Sequence, residues 1–124
     1  VQVYGSADPD LIRRLNVKWL IKPVKVEANP DLECDGFDAI LLDNSMGKGL
    51  ISDWSICRRI RERVGLPVIL AGGLSSNNVQ DAIRAVKPYG VDVSSGVELF
   101  PGVKDAYMIK EFIRKVREVE LDEV

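Results

Sequence analysis

The sequence predicts an α/β protein made of repeated βα units around parallel strands. Short apolar runs alternate with amphipathic segments along the chain, the pattern of strands joined by crossover helices. Polar and glycine-rich stretches also collect just after the strand-like runs. Ligands gather there whether such a sheet is open and doubly wound or closed as a (βα)8 barrel.

The expected strands are residues 1–4, 19–22, 39–42, 67–71 and 91–94, each short and rich in β-branched or aliphatic side chains. Asp8-Pro9 offers a cap and a first-turn proline for a helix over 10–15. Asp53 is placed to cap 54–64, where Ile56, Ile60 and Val64 share one face. Ser76 or Asn77 starts the next helix, which carries Val79, Ala82, Ile83 and Val86 inward and stops at Pro88-Tyr89-Gly90. A last helix over 104–120 repeats Met108, Phe112, Val116 and Val119. The link from Lys22 to Asp38 leaves room for little more than one helical turn. No linker or low-complexity stretch divides residues 1–124, so one domain is expected.

Composition narrows the function. The 124 residues carry a net charge of -2 and no histidine, which removes histidine-based catalysis and the usual zinc sets. Basic residues lie among acids along the helices, leaving no footprint for nucleic acid or a membrane surface. Cys34 and Cys57 lack C-x-x-C spacing and are expected to be reduced and structural. No apolar run reaches a membrane span and no signal peptide heads the chain, so a cytoplasmic location is expected.

Three loops carry the chemistry. Gly72-Gly73, followed by Leu-Ser-Ser-Asn-Asn, can be a tight turn or a place where bare backbone N–H groups meet a phosphate. Ser94-Ser95-Gly96 repeats the device after the next strand with hydroxyl donors, and two such loops on consecutive strands favour phosphate. The following segment to Gly102 has room for a short extra helix. Gly47-Lys48-Gly49 lacks the P-loop spacing, and the glycines of 44–49 suit a loop that closes over substrate. Asp43 ends its strand on the side of Leu41, and Asp92 shares a side with Ser94, while Val91 and Val93 point to the helices. Two inward carboxylates beside a phosphate site suit reaction chemistry.

The run AGGLSSNNVQDAIRAVKPYGVDVSSGVELFPGVKD resembles the C-terminal signature of the phosphoribosylanthranilate isomerase family. VQVYG, LIKPVKV and LLDN resemble its preceding segments in order. The resemblance implies a (βα)8 barrel of which this chain supplies about five units, strands four to eight. It further implies an Amadori rearrangement of N-(5-phosphoribosyl)anthranilate without metal or organic cofactor. Asp43 corresponds to the general acid that opens the ribose ring, and Asp92 faces the sugar. Gly72, Gly73, Ser94, Ser95 and Gly96 line the phosphate site. The family's general-base cysteine and its anthranilate-holding arginine lie on strands before Val1, and Tyr4 stands where the family usually has histidine. The expected partners are a small phosphoribosyl substrate and either a second copy or a complementing N-terminal half-barrel, with little turnover from the isolated chain. Competing readings are another phosphate-binding barrel enzyme such as indole-glycerol-phosphate synthase, which should show a catalytic lysine and glutamate set and finds only Lys22 as thin support, and a non-catalytic phosphate-binding or self-associating half-barrel.

Overall fold

The computed structural model describes residues 1–4, 8–43 and 53–122. Four parallel strands form one sheet in the order β1 (Ile21–Val24), β2 (Ala39–Asp43), β3 (Val68–Ala71), β4 (Gly90–Val91). Spatial order follows chain order, each strand lying beside its predecessor as short connections favour. β2 is central and buried on both faces; Ala39, Ile40, Leu41 and Leu42 are each 0 or 1% exposed. That is why it reads as an unbroken apolar run rather than an alternating one.

Register fixes which side chains meet. Ile40 pairs with Val68 and Leu42 with Leu70, and all four join the core cluster under the helices. Leu41 pairs with Ile69 and Asp43 with Ala71, so Asp43 and Ala71 end their strands side by side, one residue out of phase with that core.

The helices are amphipathic and locally capped. α1 (Pro9–Arg13) starts at Asp8, whose carboxylate accepts the Asp10 N–H at 3.0 Å. α2 (Trp54–Arg63) starts at Asp53, which accepts from Ser55 N at 3.0 Å and Ile56 N at 3.3 Å, and buries Cys57 and Ile60. α3 (Val79–Val86) buries Val79, Ala82 and Val86 and ends on Lys87 in the left-handed region, just before Pro88. α4 (Ala106–Asp122) packs on α3 through Phe112 and Val119, and Gln80 ties the two by donating to the Lys115 carbonyl and to Glu118.

Several expectations shift. The parallel sheet has four strands where five were expected. Residues 1–4 contribute an isolated parallel bridge from Gln2 to Ile21, flanked by hydrogen bonds Ile21 N to Val1 O and Val3 N to Ile21 O. β1 starts two residues late because the Leu20 N–H donates to the Asp38 carboxylate at 2.8 Å instead of to a strand. β4 is two residues long, although Asp92 N still reaches Leu70 O at 2.9 Å. α3 has Asn78 rather than Ser76 or Asn77 at its N-cap position, with no side-chain cap hydrogen bond. Lys104 belongs to a hairpin, β5 (Glu98–Phe100) with β6 (Val103–Lys104), so α4 begins at Ala106 with Asp105 accepting the Met108 N–H. Residues 25–38 form no helix. The expected closing loop at 44–49 lies outside the described residues.

Candidate functional site

Asp43, Gly72, Gly73, Asp92, Ser94 and Ser95 line one cavity of about 240 Å³ at the C-terminal ends of β2, β3 and β4, together with Ala71, Leu74, Val93 and Glu98. Of the seven residues the sequence singled out, only Gly96 lies outside its lining.

The glycine turn is built by backbone conformation. Gly72 and Gly73 have φ of +92° and +66°, the left-handed region that side chains with a Cβ avoid. Leu74, 3% exposed, anchors the turn in the core. The Asn78 side chain then locks it, accepting the Ser75 N–H at 2.9 Å and donating to the Gly73 carbonyl at 2.9 Å.

The second loop is anchored in the same manner. A 3-10 turn spans Ser95–Val97, and Val97, 4% exposed, drops into the core. Gly96 has a packing role: a Cβ built on it would sit 1.8 Å from the Leu74 carbonyl oxygen and 3.2 Å from Ser75 Cα. The absence of a side chain there lets the two loops touch backbone to backbone and close one wall of the cavity.

Electrostatics divide the site. Burial by the cavity walls pushes the Asp92 carboxyl above the ordinary aspartate range, the negative charge of Asp43 pushes it further, and Lys104 opposes both. The surface of Asp92 nevertheless stays open to solvent. The Tyr4 hydroxyl lies in the same field: partial burial first, then Asp43 and Asp92, raise its pKa. Tyr4, Lys22, Phe37 and Asp43 border an adjoining cavity of about 200 Å³. Glu98 is held below the usual carboxylate range by the Gly102 N–H and then by Lys104.

Sequence reasoning overlooked Glu98 and Lys104. The Lys104 ammonium donates to the Ser94 carbonyl at 2.8 Å and to Ser94 Oγ at 3.2 Å, and pairs with Glu98 at 3.3 Å. The available signal was Pro101-Gly102, a turn pair between Glu98-Leu99-Phe100 and Val103-Lys104 that folds the chain back on itself. Lys22, by contrast, is drawn away: its ammonium donates to the Glu33 carbonyl and faces Asp31 at 3.5 Å. Among the described residues no cluster of acids and thiols is arranged to hold a metal ion, and no helix is long and apolar enough to cross a membrane.

Residues 1–115 match the family model for N-(5'phosphoribosyl)anthranilate (PRA) isomerase. The N-(5'-phosphoribosyl)anthranilate isomerase of Methanocella arvoryzae is 43% identical over 94% of this chain and 61% of its own length. Among solved structures, mutually generated monomers of the dimeric phosphoribosylanthranilate isomerase from Thermotoga maritima superpose with a TM-score of 0.73 at 37% identity, covering 95% of this chain and 60% of that one. A phosphoribosyl anthranilate isomerase in complex with reduced 1-(o-carboxyphenylamino)-1-deoxyribulose 5-phosphate gives a TM-score of 0.73 at 38% identity, over 95% and 59% of the two chains. The chain thus spans about three fifths of the length of these relatives.

Proposed function

Because the chain belongs to the N-(5'-phosphoribosyl)anthranilate isomerase family, we propose that it carries the phosphate-anchoring and acid-bearing part of an active site for the Amadori rearrangement of N-(5-phosphoribosyl)anthranilate. The observation that supports this is the convergence of Asp43, Asp92, the Gly72-Gly73 turn and Ser94-Ser95 on one cavity.

In this reading the glycine turn and the serine loop hold the phosphate through backbone N–H and hydroxyl donors. Asp43, whose strand partner Ala71 directly precedes the glycines, protonates the ribose ring oxygen so that the ring opens to a Schiff base. A base then removes the C2 proton, and the resulting enolamine tautomerises to the aminodeoxyribulose phosphate. Burial and then the charge of Asp43 raise the Asp92 carboxyl, so Asp92 keeps its proton to higher pH than a lone aspartate.

The parallel strands, extended by the Gln2–Ile21 bridge, are read as five consecutive units of a (βα)8 barrel in one domain over 1–124. The general base belongs to the part of the relatives that this chain does not span. The indole-glycerol-phosphate synthase alternative loses its supporting residue, since Lys22 is held by Glu33 and Asp31 and does not line the acid cavity.

The test is complementation. The 124-residue chain is mixed with a polypeptide carrying the unmatched N-terminal strands of the Methanocella relative, and isomerisation is followed. Turnover is expected from the mixture, little from the chain alone, and a loss of roughly 10²- to 10⁴-fold with Asp43→Asn. Turnover by the mixture that survives Asp43→Asn would overturn the assignment.

A further inference from the structure

Among the described residues, the cavity proposed to take a phosphate group is bordered by three carboxylates, Asp43, Asp92 and Glu98, and by no cationic side chain. For this part of its wall an anion depends on neutral donors being aimed correctly. Among the described residues the cation whose charge acts on Asp92 is Lys104 on β6, and its ammonium has three acceptors: the Ser94 carbonyl at 2.8 Å, Ser94 Oγ at 3.2 Å and Glu98 Oε1 at 3.3 Å. It therefore has no proton to give a ligand without releasing one of these partners.

From this geometry we infer that Lys104 is a positioning residue that turns Ser94 and Ser95 into anion donors. The first effect runs through the peptide plane. In a trans peptide the carbonyl of Ser94 and the N–H of Ser95 point in opposite directions. Holding that carbonyl on the Lys104 ammonium aims the Ser95 N–H the other way, and this N–H has no acceptor among the described residues. The second effect runs through the hydroxyl. A serine oxygen that already accepts from an ammonium has its own O–H left to donate, and Ser94 lines the cavity.

The Glu98–Lys104 pair also bridges β5 and β6, so simple stapling of the hairpin is the competing role. The two roles differ in sign. Lys104→Met and Glu98→Gln both break the ion pair, but only the first frees Ser94, and the second removes a negative charge from the cavity wall. The inference rests on the phosphate-binding reading above, and the experiment separates the two.

Inorganic phosphate and a pentose 5-phosphate are titrated against the full 124-residue chain and its variants, with the Ser95 amide followed by NMR. The expected results are a loss of about tenfold or more for Lys104→Met, as for hydrogen bonds to charged groups, and a gain of roughly two- to fivefold for Glu98→Gln. Lys104→Arg should recover most of the affinity, and the Ser95 amide should shift in Lys104→Met before any ligand is added. Unchanged affinity in Lys104→Met, or equal losses in Lys104→Met and Glu98→Gln, would overturn the positioning role while leaving the phosphate site standing. An unaltered chain that binds neither probe would overturn the phosphate site and this inference with it.

Discussion

Replacing Gly96 by alanine should be strongly destabilising. The added Cβ would lie 1.8 Å from the Leu74 carbonyl oxygen and 2.9 Å from its carbon. Real Cβ atoms do not approach closer than 3.0 Å, so one loop must retreat by more than 1 Å. Both sides are backbone, and both are pinned, by buried Leu74 on one side and buried Val97 on the other. The strain has no flexible side chain to absorb it. Overpacking a fixed site costs about 1–3 kcal/mol, and a clash of this depth belongs at the upper end, about 3 kcal/mol. With a urea m-value of roughly 1–3 kcal/mol/M for a small protein, the midpoint should fall by about 1 M or more. Gly65 is the control: nothing lies within 4 Å of its Cβ position and its φ is not positive. Gly65→Ala should be neutral or stabilise by about 0.4–1 kcal/mol through the unfolded chain. A Gly96→Ala midpoint within about 0.2 M of the unaltered protein would refute the argument that these loops are locked together.

Asp92→Asn should raise the melting temperature at pH 7 and leave it unchanged at pH 3. The native carboxyl lies above its unfolded value because of burial and then Asp43. The native state therefore loses stability as pH rises through the interval between the unfolded and native values, and suffers no penalty below it. Equal shifts at both pH values would contradict this. Burial pushes the Cys57 thiol up to about 12, and partial burial raises Cys34 against the pull of Lys22. An alkylating reagent at pH 7.5 should label native Cys57 no faster than the chain unfolds, with Cys34 slower than a free thiol. Rapid labelling of Cys57 would mean that α2 is not packed as described.

What the sequence revealed depended on how local the cause was. The Asp8 and Asp53 caps were legible because the carboxylate bonds N–H groups two and three residues away. The facing of Asp43 followed from alternation along β2. The cap of α3 was not legible: Ser76, Asn77 and Asn78 are equivalent on local grounds. Asn78 stands at the N-cap position without capping a helix N–H, its amide being committed to Ser75 and Gly73 in the preceding turn. The β5–β6 hairpin escaped because Leu99, Phe100 and Val103 are 64, 57 and 41% exposed and give no burial rhythm. Gly96 looked like a phosphate glycine, whereas the chain needs it for an approach of Leu74, 22 positions earlier, that no local pattern encodes.

A site whose wall is main chain has a practical consequence for anyone mapping it. Alanine scanning removes side chains, and at Gly72 and Gly73, held at φ of +92° and +66°, it would report strain while saying nothing of the N–H groups. Those donors are invisible to the usual genetic alphabet. An amide-to-ester replacement at residues 73 and 95, which deletes one proton and little else, is the substitution that would let this part of the molecule answer for itself.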